Sequence, residues 1–394
     1  MTALLDLAFL VPAFAVFVLA GFFALEIAGA FLRPRSLSAD AKEAGPIAVI
    51  IPAHDEEASI AATLAGVKAQ LRRSDRLIVV ADNCTDATAD IAAAAGAEAL
   101  VRIDPDRRGK GYALQFALEA LKEAPPSVIV FIDADCRLEA GALASVAGAA
   151  EATGRPAQAL YLMRAPESAG PQRKVSAFAW LLMNEVRMGG LFTLFDVCRL
   201  TGSGMALPWD IAKDLDLASG EIVEDLALSA RLAETAAPIF VRDALVTSDF
   251  PSAEESAAKQ HARWEHGSLR LALRRAPSML GRGVARGDLR LVAAALDLAI
   301  PPLTVFAALI LAVSAACLVP LLWGSTAPLA LSLSALALLL AATFAAWARF
   351  GRGALPASAL GAAGLYILGK LRIYGREGRA SSQRWTRTKR DAER

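Results

Sequence analysis

The stretch Val128–Asp135 constrains the fold of this chain more than any other, because it joins a buried strand to two acidic side chains. Its first five residues are apolar and mostly β-branched or aromatic, which is typical of a strand in a parallel sheet. Asp133 and Asp135 follow at the carboxyl end, where open α/β sheets bind ligands. Side chains alternate along a strand, so both carboxylates are predicted to face one side and to suit a hard cation. A polar turn before a helix cap explains the same pattern, so this stretch alone leaves both interpretations open.

Strand and helix patterns alternate on either side of this stretch. Apolar strand patterns occupy 47–51, 77–81, 97–103 and 128–132, and helical patterns occupy 57–70, 86–95, 110–123 and 140–152. This order predicts an α/β fold with a Rossmann-like, mostly parallel sheet and right-handed crossovers. Beyond residue 158 the pattern is less regular, with strands predicted at 159–163 and 239–247 and helices at 174–188, 222–236 and 254–275.

The composition indicates a soluble domain combined with membrane spans. Hydrophobic residues make up 55% of the 394 residues, yet 21% are charged, which is too many for a chain embedded entirely in a membrane. Leu7–Leu25 is an uncharged run long enough to cross a bilayer, and two further spans are predicted at 303–323 and 328–348. A cleaved secretory signal is the alternative for the first run, but a basic n-region is missing and the run is too long.

Charge placement predicts the topology. Arg33 and Arg35 follow the first run and Asp6 precedes it, so the positive-inside rule places the following domain in the cytoplasm. Residues 370–394 hold nine Lys or Arg against three acids, which predicts a cytoplasmic tail and an interfacial or re-entrant segment at 355–369. Three spans are therefore predicted, with four as the alternative. The expected location is the cell (inner) membrane, as a multi-pass protein.

The predicted organisation follows from these boundaries. It comprises an anchor (1–32), a linker (33–45), an α/β domain (46–250), amphipathic interface helices (251–300), two spans (301–350) and an interfacial segment with a basic tail (351–394). The basic amphipathic pattern at 254–275 is typical of a helix on a membrane surface, although a solvated helix packed on the soluble domain has the same pattern. The formal charge of +1 and the lack of a basic-aromatic pattern argue against nucleic acid as a partner.

Four acidic clusters follow strands or begin helices in this pattern. They are 54–57, 82–86, the pair at 133 and 135, and Glu224-Asp225. Each alone fits a helix cap, and Asp86 in particular is expected to be one. Carboxylates gathered at one sheet edge repel one another unless a cation lies between them. Together the clusters indicate a site for a metal ion and a diphosphate.

Basic and aromatic residues complement these clusters. Lys110 lies in Arg107-Arg-Gly-Lys-Gly111, just before a helix whose N-terminal amides attract anions, although a Walker loop pattern is absent. Gln260, Arg263 and Trp264 share one helical face, which offers a guanidinium for phosphate and a flat wall for a sugar or base. Interfacial anchoring is the alternative role of the Arg-Trp pair.

These segments, over residues 47–270, resemble membrane-bound family 2 glycosyltransferases of GT-A fold, the group that includes cellulose, hyaluronan and chitin-oligosaccharide synthases. The resemblance implies that Asp133 and Asp135 form the Asp-x-Asp motif, which contacts the nucleotide and binds Mg²⁺ or Mn²⁺, with Asp135 as the main ligand. It also implies Asp225 as the catalytic base, beside Glu224. The donor-binding residues that it implies are Pro52, His54, Asp55, Glu56, Asp82, Lys110, Asp133, Ala134, Gln260, Arg263 and Trp264. Thr201–Met205 resembles the glycine-containing loop that borders the acceptor.

The resemblance implies an inverting hexosyltransferase. The expected donor is a nucleotide sugar, UDP-hexose or UDP-N-acetylhexosamine before GDP-mannose. The expected acceptor is a lipid or a membrane-bound glycan, in exopolysaccharide or glycolipid synthesis, with export or polymerisation proteins as further partners. Three departures bear on this expectation: His54 replaces an aromatic residue, Asp55 replaces Asn, and His261 stands where processive members often carry Arg. The small membrane part argues against an independent polymer channel.

Three other functions are weighed against this interpretation. A polyprenyl-phosphate glycosyltransferase has the same donor chemistry and also fits a site beside the bilayer. A sugar nucleotidyltransferase also uses metal-binding aspartates, but it usually has a glycine-rich basic loop where this chain has His54–Glu57. A non-catalytic membrane scaffold gives no reason for the ordered acidic and basic motifs.

Overall fold

The computed structural model describes residues 2–32, 44–166, 168–218, 223–250 and 254–361, with only the backbone described for 2–4 and 254–263. The strands are β1 (Ile47–Ala53), β2 (Arg76–Asp82), β3 (Glu98–Arg102), β4 (Val128–Phe131), β5 (Arg137–Leu138), β6 (Ala157–Arg164), β7 (Met205–Pro208) and β8 (Ile239–Asp249). The helices are α1 (Thr2–Ala30), α2 (Ile60–Lys68), α3 (Thr88–Ala94), α4 (Lys110–Leu121), α5 (Ala142–Thr153), α6 (Pro171–Leu181), α7 (Met188–Phe195), α8 (Trp209–Ala212), α9 (Glu224–Leu232), α10 (Glu254–Arg286), α11 (Leu289–Ala299), α12 (Leu303–Ala316) and α13 (Ala327–Ala346).

Two compact units make up the described chain. The first contains α1, residues 168–195 and the chain from Ser268 onward, and the second contains the sheet with its helices. Residues 168–195 hold α6, a π-helical turn at Leu182–Arg187, and α7. The domain boundaries at 33, 46, 251 and 301 stay a prediction.

The second unit is built on an eight-stranded mixed sheet. The strand order is β3-β2-β1-β4-β7-β6-β8-β5. The pairs β1–β2, β2–β3, β1–β4 and β6–β8 are parallel, whereas β7 runs antiparallel to both β4 and β6, and β5 runs antiparallel to β8. The predicted α/β class with a mostly parallel sheet is confirmed, and the topology is that of a GT-A-like fold. The antiparallel strands β5 and β7 were not predicted, because two and four residues are too few to show a period.

Apolar strands form the centre of this unit. All four residues of β4 are buried, and so are six of the seven residues in β1 and in β2. Burial on both faces explains why these segments are continuous Val/Ile/Leu runs without polar alternation. The predicted strands at 47–51, 77–81, 97–103, 128–132, 159–163 and 239–247 all exist, with ends shifted by a few residues.

The helices differ from the predictions mainly at their ends. The predicted helix at 57–70 begins at Ile60, because Glu56 and Glu57 form a hydrogen-bonded turn before it. The segment predicted as one helix over 174–188 is α6 followed by the π-helical turn. The helix predicted to end at residue 275 continues to Arg286, with Pro277 inside it.

Within the described residues of the first unit, three helices are long and apolar enough to cross a membrane. They are Leu5–Ala30, Leu303–Trp323 and Ala327–Gly351, which agrees with the predicted spans. The predicted interfacial segment at 355–369 lies largely outside the described residues, as does the basic tail.

A buried ion triad links three segments of this unit. Arg187 donates from Nε to Glu26 Oε2 at 2.6 Å and from Nη2 to Asp297 Oδ1 at 2.8 Å. The three side chains are 7%, 0% and 1% exposed. The Arg187 guanidinium also stacks on the ring of Phe23 at 5.4 Å. Charges buried this completely persist in proteins only when they are paired.

Candidate active site

Three parallel strands end at the same edge of the sheet and carry the predicted donor residues. β1 leads into His54, β2 ends at Asp82, and β4 is followed by Asp133. The register pairs Ala53 with Ala81 in β2, and the Ile132 amide donates to Ile50 O at 3.1 Å. The parallel arrangement therefore gathers side chains from distant parts of the sequence at one edge.

Lys110 is the cation around which the carboxylates of this edge gather. Its ammonium donates to Asp133 Oδ1 at 2.5 Å and to the carbonyl oxygen of Gly202 at 2.7 Å. Burial lowers the pKa of Lys110, but the charges of Asp133, Glu224 and Asp225 more than offset that effect, so its pKa is raised. Lys110 therefore stays protonated and brings the Asp-x-Asp segment and the start of α9 to one place.

The catalytic pair predicted from the sequence lies at the start of α9. Burial raises the pKa of Asp225 above its usual value, against the lowering effects of Lys110 and of the Leu226 amide, which donates at 2.8 Å. Burial and the neighbouring Asp225 charge raise the pKa of Glu224 to about 7, again opposed by Lys110. A helix N-terminus favours the ionised form of a carboxyl group, but desolvation outweighs that effect at Asp225, and a raised pKa makes its carboxylate a stronger proton acceptor.

The loop Thr201–Gly204 lies between these groups. Ser203 Oγ accepts a hydrogen bond from the Asp133 amide at 3.1 Å, and the Gly204 amide donates to Phe131 O at 2.8 Å. Gly202 has a φ of +86°, and a Cβ at this position would lie 3.1 Å from Asp225 Oδ2 and 3.3 Å from Lys110 Nζ. Glycine is required here because the left-handed backbone and the close approach both disfavour a side chain.

Asp82 is held by an arginine that the sequence interpretation did not include. Arg102 Nη1 donates to Asp82 Oδ1 at 2.6 Å, and Arg102 Nη2 donates to Asp104 Oδ2 at 3.0 Å. The ring of His54 makes a 2.7 Å hydrogen bond with the carbonyl oxygen of Asp82. The predicted donor residues His54 and Asp82 are thus brought together, with Arg102 fixing the Asp82 carboxylate.

Asp55 and Glu56 join the loop after β1 to the loop after β2. Asp55 Oδ1 accepts from the Thr85 amide at 2.6 Å, and the Glu56 amide donates to Thr88 Oγ1 at 2.7 Å. Asp86 Oδ1 accepts from the Thr88 amide at 3.0 Å, but the N-cap residue of α3 is Ala87, one position after the cap expected from the sequence. Asp55, Cys84 and Asp86 each bring one possible ligand atom within 4.8 Å of the others. Burial raises the pKa of the Cys84 thiol, which disfavours the thiolate needed for metal binding.

The remaining predicted donor residues occupy three places. Pro52 pairs with Val80 in the sheet, and Ala134 O accepts from Thr63 Oγ1 at 2.9 Å. Gln260 and Arg263 lie in α10, but their side chains are outside the described residues, while Trp264 is half-buried. Their predicted contact with the donor stays a prediction.

The charge balance of the site fits a divalent cation. Three carboxylates, those of Asp133, Glu224 and Asp225, act on the single ammonium of Lys110, and Asp135 adds a fourth acid two residues from Asp133. Carboxylate oxygens are the ligands that Mg²⁺ and Mn²⁺ prefer, and an added cation would relieve the excess negative charge. That Asp133 and Asp135 hold such an ion stays a prediction.

Comparison with known proteins identifies the family. Residues 44–267, more than half of the chain, match the family described as Glycosyltransferase like family 2, and the chain therefore belongs to that family. It is a glycosyltransferase.

One relative and two solved structures extend the comparison. The low-salt glycan biosynthesis hexosyltransferase Agl6 of Haloferax volcanii is 40% identical over 102 residues, and this match spans 25% of this chain and 23% of Agl6. The mannosyltransferase PcManGT of Pyrobaculum calidifontis, in complex with GDP-Man and Mn²⁺, is 17% identical with a TM-score of 0.50, covering 95% of this chain and 94% of that one. The likeness to PcManGT shows a shared fold.

The second structure is similar over a smaller part of this chain. It is glucosyl-3-phosphoglycerate synthase from Mycobacterium tuberculosis, in complex with Mn²⁺, UDP and phosphoglyceric acid. It is 23% identical, covers 59% of this chain and 82% of that one, and has a TM-score of 0.41.

Proposed function

We propose that this protein transfers a hexose or N-acetylhexosamine from a nucleotide sugar to an acceptor at the membrane, with inversion at the anomeric carbon. The observation that carries the proposal is the placement of Lys110, which contacts Asp133 and Gly202 O and stabilises the charge of Asp225. One cation thus connects the expected donor side of the site with the expected base. Family membership and the three apolar helices support transfer beside a bilayer.

In this mechanism Asp225 is the catalytic base. It accepts the proton of the acceptor hydroxyl while that oxygen attacks the anomeric carbon, and the nucleoside diphosphate leaves from the opposite face. The raised pKa of Asp225 makes its carboxylate a stronger proton acceptor, and the charge of Lys110 opposes that rise. Glu224, with a pKa of about 7, contributes a second carboxyl group at the start of α9.

The donor side of the mechanism uses the edge of the sheet. Asp82, hydrogen-bonded to Arg102, and His54 are assigned to the base and ribose, and Asp133 and Asp135 would hold Mg²⁺ or Mn²⁺ at the diphosphate. The bound ion supplies Lewis-acid stabilisation of the leaving diphosphate. Gln260, Arg263 and Trp264 of α10 are assigned to the same region through the motif resemblance.

The acceptor is proposed to be a lipid or a membrane-bound glycan, in exopolysaccharide or glycolipid synthesis on the cytoplasmic side of the inner membrane. Polyprenyl phosphate is one such lipid, and a relation to membrane-bound cellulose and hyaluronan synthases is part of the same proposal. UDP is the expected nucleotide. The GDP-Man bound by PcManGT makes GDP-mannose a necessary second donor to test.

The test is a nucleotide-release screen in membranes that contain the full-length protein. UDP-glucose, UDP-N-acetylglucosamine and GDP-mannose are supplied with Mn²⁺, and labelled lipid or glycan is identified by mass analysis. Release of UDP or GDP with a glycosylated product supports the proposal, whereas release of pyrophosphate indicates a nucleotidyltransferase.

The variant Asp225→Asn tests the assignment of Asp225 as the catalytic base. It is expected to abolish transfer while retaining nucleotide binding, because the amide cannot accept the acceptor proton but keeps the shape of the side chain. Turnover near the wild-type rate in this variant would contradict the assignment of Asp225 as base.

A further inference from the structure

A fully buried glutamine is hydrogen-bonded to the loop Thr201–Gly204, which we call the active-site loop. The proposed mechanism gives this glutamine no role. Gln158 is the second residue of β6 and is 0% exposed. Buried amides are uncommon in a strand centre, because each of their polar atoms must find a partner.

The side chain of Gln158 is hydrogen-bonded to the backbone of the loop Thr201–Gly204 at two points. Its Oε1 accepts from the Thr201 amide at 2.9 Å, and its Nε2 donates to Ser203 O at 2.8 Å. The second Nε2 proton is directed to Ala159 O, also at 2.8 Å. A carboxylate could make only the first of these bonds, and an aliphatic side chain could make none.

The same loop contacts the donor side and the base side of the site. Ser203 Oγ accepts from the Asp133 amide at 3.1 Å, and Gly202 O accepts from Lys110 at 2.7 Å. Gly202 also packs so closely on Asp225 that an added Cβ would lie 3.1 Å from Oδ2. A shift of the loop backbone would therefore displace Lys110 and open space beside Asp225.

We propose that Gln158 is a positioning residue for sugar transfer: by holding Thr201 and Ser203, it sets the loop that places Lys110 against Asp225. This inference rests on the proposed function and adds to it a residue that does not contact substrate. The competing explanation is that Gln158 only stabilises the sheet. An effect on turnover per folded molecule separates the two, because a loss of stability alone reduces the number of folded molecules and not their rate.

Arg155 provides the matched control. It lies three residues before Gln158 and also makes three hydrogen bonds, to Ala237 O at 2.7 Å, Asp196 Oδ2 at 2.8 Å and Asp196 O at 2.6 Å. None of these partners belongs to the loop. Arg155→Ala therefore removes as many bonds as Gln158→Leu without touching the loop.

The experiment uses the full-length protein and both variants in nanodiscs. Calorimetry with Mn²⁺ and either UDP or GDP gives the Kd and the concentration of intact nucleotide sites. The rate of nucleotide release from UDP-glucose, UDP-N-acetylglucosamine or GDP-mannose is then divided by this concentration to give the turnover per site. Gln158→Leu is expected to lose about 10- to 100-fold in turnover per site, the size of effect that misplaced catalytic groups produce. Its Kd for UDP or GDP should stay within about threefold of wild type, because the residues assigned to the nucleotide are unchanged. Arg155→Ala should keep its turnover per site within about twofold, since its contacts are remote.

Two further measurements keep the test decisive. Gln158→Met nearly preserves the volume of the side chain, so it replaces Gln158→Leu if that variant does not fold, and it should show the same loss because a thioether has no N–H group to donate to Ser203 O. Hydrogen exchange over residues 199–206 should be faster in the Gln158 variants than in Arg155→Ala, and this readout needs no turnover.

The outcomes distinguish the positioning role of Gln158 from the proposed function of the protein. Equal turnover per site and equal exchange in the Gln158 and Arg155 variants overturn the positioning role. A wild-type protein that releases no nucleotide from any donor overturns the proposed function, and in that case the exchange rates still decide whether Gln158 holds the loop.

Discussion

Replacing Gly202 by alanine tests the packing of the active-site loop directly. Gly202 has a φ of +86°, and its Cβ position lies 3.1 Å from Asp225 Oδ2 and 3.3 Å from Lys110 Nζ. Both distances are shorter than ordinary van der Waals contact with a methyl group, so the carboxylate or the ammonium must move by a few tenths of an ångström. The substitution thus disturbs the catalytic geometry without removing any charged group.

Gly202→Ala is expected to affect both the folding free energy and kcat. An L residue in the left-handed region costs about 1–2 kcal/mol of folding free energy, whatever surrounds it. Displacement of a catalytic group by a fraction of an ångström adds a loss of about tenfold or more in kcat. Gly202→Ala should therefore show both a lower free energy of unfolding and a lower kcat.

Gly141→Ala is the control that separates the loss of stability from the loss of kcat. Gly141 lies in the same unit with a φ of +80°, but no atom lies within 4 Å of its Cβ position. This control should lose about the same 1–2 kcal/mol of stability, measured by thermal unfolding in detergent, and keep the wild-type rate of nucleotide release. If the Gly202→Ala and Gly141→Ala variants released nucleotide at the same rate, the close packing of the loop on Asp225 would not be needed for catalysis.

Two further predictions concern the metal ion and the acid stability of the sheet unit. EDTA is expected to stop nucleotide release and Mn²⁺ or Mg²⁺ to restore it, since Asp133 and Asp135 are proposed to hold the ion at the diphosphate; full activity after chelation would exclude that role. Asp75, whose side chain is 1% exposed, accepts from Arg72 Nη2 at 2.9 Å and from the Ile47 amide at 3.1 Å. Burial raises the pKa of Asp75, but the Arg72 and Ile47 hydrogen bonds outweigh it and lower the pKa overall. Asp75 therefore stabilises the fold fully above its unfolded pKa of about 4, and this contribution is lost as pH falls through the lower folded value. Asp75→Asn should cost about 1–3 kcal/mol at pH 7, and the difference from wild type should shrink near pH 3; a difference independent of pH would contradict the ionic role of Asp75.

The strands and the three apolar helices could be predicted from the sequence because their signals are local. A run such as 128–132 is apolar in every residue and is buried in every strand position of β4, so pattern and environment agree. The short strand β7 could not be found in this way, because its place between β4 and β6 depends on partners far away in the chain.

The site could be predicted in part. Asp133, Glu224 and Asp225 were found through motifs, and the structure gathers them around Lys110. Arg102 and Gln158 were missed, although each leaves a trace in the sequence as a polar residue inside or at the end of an apolar strand pattern. Such a residue signals a buried partner, but the partner's identity depends on tertiary contacts such as Gln158 with Thr201.

The ion triad of the first unit has a consequence for the synthesis of the chain. Glu26 precedes its partner Arg187 by 161 residues, and Arg187 precedes Asp297 by 110. At translation rates of about 5–20 residues per second, the first apolar helix leaves the ribosome roughly 8–32 s before the guanidinium that will neutralise its acid. The nascent α1 therefore exists for this time with Glu26 lacking that partner, and α1 reaches its final packing only after Asp297 has been made.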